Sequence, residues 1–70
     1  MANLPLQGDH ITLAQALKAA GLADTGGQAK YLVREGQVLV NGAVELHPGR
    51  KLQAGDRFGV GKGDEWTVGR

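Results

Sequence analysis

The sequence predicts an α+β fold: two short helices packed on a small, mostly antiparallel sheet. Three observations predict it. Two T-x-x-Q stretches, Thr12 to Gln15 and Thr25 to Gln28, each precede apolar residues at helical spacing. Asn41-Gly42 lies between two β-rich runs, and both residues tolerate the positive φ that a two-residue hairpin turn needs. Later, Phe58 with Val60 and Trp66 with Val68 alternate with other residues, as half-buried strands do.

At 70 residues the chain reads as one domain, 1–70, of a size whose core rarely supplies more than roughly 3–5 kcal/mol of net stability. It has no cysteine, which removes disulfides and thiolate metal sites and fits a reducing compartment. The opening MANLPLQGDH lacks the basic and apolar regions of a signal peptide, and no apolar run approaches bilayer length. A soluble, cytoplasmic protein is expected. The formal charge is only +1, yet residues 26–54 set Lys30, Arg34, Arg50 and Lys51 against Glu35 and Glu45, a local excess of +2. Such an asymmetry is common on solvated surfaces and by itself identifies no partner.

Residues 3–7 form an edge strand in this reading, because Pro5 lacks the amide that a central strand would use. Gly8-Asp9 turns the chain. Thr12 opens the first helix, with Gln15 reaching back to complete a capping box, and Leu13, Ala16, Leu17 and Ala20 form its apolar stripe. Lys18 falls off that stripe and Gly21 ends the helix. Asp24 and Thr25 open the second helix, where Gln28 is expected to repeat the same box. Ala29, Leu32 and Val33 face inward and Gly36 stops it. Lys30 and Arg34, four residues apart, lie side by side on the other face, bordered by Gly27 and Tyr31.

Gln37 to Val40 and Ala43 to Leu46 make the hairpin. A strict two-residue turn pairs Val40 with Ala43 and leaves Val44 on the face opposite Val38. Either a bulge or partial cover on both faces would reconcile this. His47 to Lys51 reads as a mobile basic loop turned by Pro48-Gly49, Leu52 points inward, and Ala54-Gly55-Asp56 turns again. Gly61 to Asp64 is a loop before the last strand. Trp66 reads as core, since such a ring buries a large area.

From Ile11 to Val60 this order of signals resembles the S4-type RNA-binding domain, or alpha-L motif, in its short, stand-alone bacterial YbcJ-like form. The residues that carry the resemblance are the capped stretch Thr25-Gly26-Gly27-Gln28-Ala29, the pair Leu32-Val33, the stop at Gly36, the hairpin Val38-Leu39-Val40-Asn41-Gly42, and Gly55-Asp56 before the later strand. The resemblance implies two helices on a small sheet and binding to structured RNA, ribosomal or transfer, through the second helix and neighbouring basic loops. One departure stands out: Gly26 replaces the arginine usual in the family's S-R-S stretch.

The RNA-contact candidates are therefore Lys30 and Arg34, long cations that a helix holds in register for phosphate. With them stand Gly26, Gly27 and Gln28 at a helix N-terminus that favours an anion; His47, Arg50 and Lys51 as a second phosphate contact; Tyr31 as a stacking ring; and Lys18 as an extension of the positive face. Each also has a structural reading, as solvated face, flexible cap, polar turn or core edge. No G-x-S-x-G, Walker loop or reactive cysteine occurs, and Asp9, His10 and His47 match no metal-ligand spacing. The expectation is a non-enzymatic monomer without cofactor or metal, whose partners are structured ribosomal or transfer RNA, with ribosomal proteins as neighbours and no membrane. The rival expectation is a protein-interaction adaptor on the same fold that has lost RNA binding.

Overall fold

In the computed structural model, which describes residues 2–61, 63 and 65–69, the elements run β1 (Ala2–Pro5), β2 (Ile11–Thr12), α1 (Leu13–Ala19), α2 (Gly26–Arg34), β3 (Val38–Val40), β4 (Ala43–Val44), β5 (Lys51–Leu52), β6 (Arg57–Val60) and β7 (Trp66–Gly69). Lys62 and Asp64, assigned above to a loop, lie outside the described residues. A five-stranded sheet has the order β1-β7-β6-β3-β4, and β2 pairs with β5 in a separate two-stranded sheet. Among the described residues no helix is long and apolar enough to cross a membrane.

The main sheet is antiparallel except at one edge, where β1 runs parallel to β7 with Leu4 opposite Val68. Pro5 occupies that edge strand, the place a residue without an amide hydrogen can take. Alternation along β3, β6 and β7 turns Val38, Val40, Phe58 and Val68 to one face, where they meet Leu13, Leu17, Ala29, Val33 and Leu52 in the buried core. Trp66 is half-buried and packs against the core rather than inside it.

Both helix starts are local chemistry. Thr12 caps α1 through a complete box: its hydroxyl accepts from the Gln15 amide at 3.2 Å and Gln15 Oε1 accepts from the Thr12 amide at 3.1 Å. The α2 cap differs from the expected repeat. Thr25 Oγ1 accepts from the Gln28 amide at 3.0 Å, but Gln28 Oε1 reaches past Thr25 to the Asp24 amide at 2.6 Å. Thr25 is extended at φ −137°, and the residue before it supplies the amide in range.

The hairpin resolves the question left open by the sequence. Val40 pairs with Ala43 and Leu39 with Val44 in the strict two-residue register, with Asn41 at φ 53° and Gly42 at φ 85°. No bulge intervenes. Val44 simply stays on the outer face, 57% exposed.

Candidate nucleic-acid interface

Burial of Ala29 and Val33 sets the rotation of α2 about its axis. On the opposite side Gly27, Lys30, Tyr31 and Arg34 are exposed. At 100° per residue, Lys30 and Arg34 project about 40° apart, one turn from each other along the axis. Neither cation forms an ion pair among the described residues, where the three pairs present join other side chains. Their positive charge therefore faces solvent uncompensated by a close carboxylate.

Beside them the N-terminus of α2 is open. The Gln28 amide is taken by Thr25 Oγ1 and the Ala29 amide by the Thr25 carbonyl at 3.0 Å. The amides of Gly26 and Gly27 have no acceptor among the described residues. A Cβ at Gly26 would meet nothing within 4 Å, and at Gly27 only Thr25 Oγ1 at 3.8 Å. The fold does not need glycine at either place, so what their missing side chains leave is access to two amides. The N-terminus of α1 is closed by contrast. There the Leu13 and Ala14 amides donate to the carbonyls of Arg50 (2.8 Å) and Pro48 (3.0 Å). Gly27→Ala is expected to stabilise the protein by about 0.5–1 kcal/mol through helix propensity while lowering RNA affinity, a combination read from urea unfolding and RNA titration on one sample.

Those two carbonyl contacts also correct the expectation of a mobile basic loop. Residues 47–50 form a turn, closed by the Arg50 amide donating to the His47 carbonyl at 3.1 Å and pinned across the start of α1. Its cations are occupied. Glu45, with its side chain only 13% exposed, accepts from Arg50 Nη1 at 2.7 Å and lies 2.9 Å from His47 Nδ1, and its Oε2 also accepts from the His47 amide at 3.1 Å. The Arg50 hydrogen bond, reinforced by His47, holds the Glu45 carboxyl at about 2, well below its ordinary 4.5. A depressed carboxyl stabilises the fold at every pH above the ordinary value and loses that contribution as pH falls toward the folded-state value. Acid unfolding between about pH 4.5 and 2 is therefore expected to be shallower in Glu45→Gln than in wild type, measured by circular dichroism across that range.

The remaining candidates are dispersed. Lys51 is exposed on β5 opposite Thr12. Lys18 is exposed in the last turn of α1, where a cation complements the helix dipole. Tyr31 is 60% exposed, so it does not cap the core edge and its ring is open to a stacking partner. The structure thus gathers Gly26, Gly27, Lys30, Tyr31 and Arg34 on α2, commits Gln28 to the cap, and binds His47 and Arg50 to an acid.

Sequence reasoning missed one polar link that holds the hairpin. Asn41 Nδ2 donates to Asp56 Oδ1 at 3.2 Å, Asn41 Oδ1 accepts from the Arg57 amide at 2.9 Å, and Asp56 Oδ2 accepts from the Gln53 amide at 2.8 Å. The N-G turn and the G-D turn are thus one joint. Asn41→Gly keeps the positive φ and removes the side chain. It is expected to cost about 1–2 kcal/mol, two hydrogen bonds' worth, as a lower urea midpoint at unchanged slope.

The chain is similar to proteins of known description. A Bacillus subtilis (strain 168) protein described as a probable ribosome maturation protein, RlbA, is 44% identical over 57 residues, which is 80% of either chain. An Escherichia coli (strain K12) protein described as a putative RNA-binding protein, YbcJ, is 46% identical over 46 residues, 66% of either chain. The solution structure of E. coli YbcJ, described as revealing an alpha-L motif involved in RNA binding, matches with a TM-score of 0.74 and 37% identity over 100% of this chain and 89% of that one. The S4 domain model matches residues 4–68, from β1 to β7, and the chain belongs to the S4 domain family.

Proposed function

We propose that this protein binds structured RNA, ribosomal or transfer, by its phosphate backbone, and that it does so as a cytoplasmic monomer without catalysis. The observation that carries this reading is the α2 ledge: Lys30 and Arg34 exposed, unpaired among the described residues and held in register beside the open amides of Gly26 and Gly27. Duplex RNA offers side chains little sequence information in its deep, narrow major groove, so phosphate and 2′-hydroxyl contacts dominate such recognition. The descriptions of the relatives as a ribosome maturation protein and an RNA-binding protein support the same reading. Arg50 and His47 contribute less than the α2 cations, because a phosphate must first displace Glu45.

The test is fluorescence anisotropy with ribosomal RNA fragments and transfer RNA at two salt concentrations. Affinity should fall as salt rises, since each neutralised phosphate releases counterions. Salt-independent binding, or none, overturns the reading. Restoring the family's arginine sharpens it. A Cβ at Gly26 meets nothing within 4 Å, so Gly26→Arg should fold normally and bind structured RNA about tenfold more tightly, in line with one added charge-assisted contact of roughly 1.5 kcal/mol.

A second reading, a protein-interaction adaptor, is favoured by the outer face of the hairpin. There Val44 and Leu46 are 57% and 54% exposed. Under that reading no RNA accompanies the protein through gentle purification, and the absorbance at the nucleic-acid band shows no excess.

A further inference from the structure

A cleft of about 470 Å³ opens on the exposed side of α1, away from every residue of the α2 ledge in sequence, lined by Pro5, Gln7, His10, Ile11, Gln15 and Ala19. Its volume falls in the range of small-ligand sites. Its chemistry is unlike the ledge. Among the described residues no lysine or arginine lines it, so what is described there is not a phosphate cradle. Pro5, Ile11 and Ala19 offer apolar surface, the His10 imidazole is an exposed flat ring, and Gln7 and Gln15 bring amide groups that both donate and accept. Gln15 spends its Oε1 on the Thr12 amide, which fixes the side chain and leaves its Nε2 as a positioned donor. A neutral, planar ring with a hydrogen-bonding edge satisfies all three features at once.

An exposed lysine lies on the same helix as two of the lining residues. Lys18 follows Gln15 by three residues on α1, so the two are surface neighbours. We propose that the cleft receives one unpaired nucleobase of the bound RNA, with Lys18 taking an adjacent phosphate. This rests on the RNA-binding reading and extends it from shape recognition on α2 to capture of a splayed base on α1.

Two variants test the cleft without touching the α1 cap: His10→Ala combined with Gln7→Ala, and Ala19→Tyr, which fills the space from an exposed helix position. Each is titrated with an RNA duplex and with the same duplex carrying one bulged adenosine. Wild type should prefer the bulged RNA by about fivefold or more, the scale of one stacked base, and both variants should lose that preference while binding the plain duplex as wild type does. If wild type shows no preference, or the variants keep it, the cleft proposal fails while RNA binding on α2 stands. If wild type binds neither RNA, the RNA reading fails, and free adenosine, guanosine, cytidine and uridine then probe the cleft by amide chemical shifts. Shifts confined to residues 5–19 support a nucleobase site that serves a free nucleoside, and their absence overturns it.

Discussion

Reversing both charges of the ledge, Lys30→Glu with Arg34→Glu, is expected to lower affinity for structured RNA on the order of 100-fold and to lower stability by no more than about 1 kcal/mol, because Arg34 lies in the last turn of α2, where an anion opposes the helix dipole. Both side chains are exposed and neither is in an ion pair among the described residues, so the fold loses no contact. Each charge-assisted contact is worth roughly 1.5 kcal/mol or more, and two of them make two decades in the dissociation constant. The slope of log K against log salt should flatten by roughly 1.5–2 as two counterion-releasing contacts disappear. Arg50→Glu should do less to binding and more to stability, because it sets two carboxylates face to face where Glu45 now accepts from Arg50 at 2.7 Å. If the double reversal leaves affinity and slope where they were, the RNA lies elsewhere on the molecule.

The largest effect on stability is expected from Phe58→Ala. Phe58 is 1% exposed, sits in β6 near the middle of the sheet, and lies opposite Val40 on one side and Trp66 on the other. Truncating a buried phenylalanine costs about 3–5 kcal/mol in transfer and cavity terms. A chain of this size holds about the same in total. The variant should therefore populate the unfolded state at 25 °C, seen as collapsed amide dispersion and the loss of a cooperative urea transition. Val60→Ala, at a half-buried position in the same strand, should keep that transition at a lower midpoint. A cooperative Phe58→Ala protein near wild-type stability would mean that the core is organised around other residues.

Both predictions concern features that short stretches announce. Thr12 with Gln15 and Thr25 mark helix starts because a cap is made within three or four residues. The sides of α2 followed from helical spacing, with Ala29 and Val33 inward and Lys30 and Arg34 outward. Asn41-Gly42 set the hairpin register through its own backbone dihedrals. The family order of these signals then pointed to the S4 fold.

Other features had no local signature. β2 and β5 hold two residues each, too few to show a period, and their pairing depends on the turn at 47–50 folding back over α1. Pro5 marked an edge without naming its partner, and the parallel partner β7 lies at the far end of the chain. The basic turn looked like a second phosphate site because charge alone is visible in a sequence. Whether Arg50 is available depends on a carboxylate five residues away that the hairpin swings into range.

By itself, then, the sequence determined the helices, their caps, the tight turn and the outward cations, because each is settled within about one turn of chain by backbone dihedrals and nearby hydrogen bonds. Tertiary structure alone decided which charges stay free, how Asn41 and Asp56 lock two turns together, and where a cleft opens beside α1. Those outcomes join residues that only chain closure brings within a few ångströms, and no periodicity records that closure in advance.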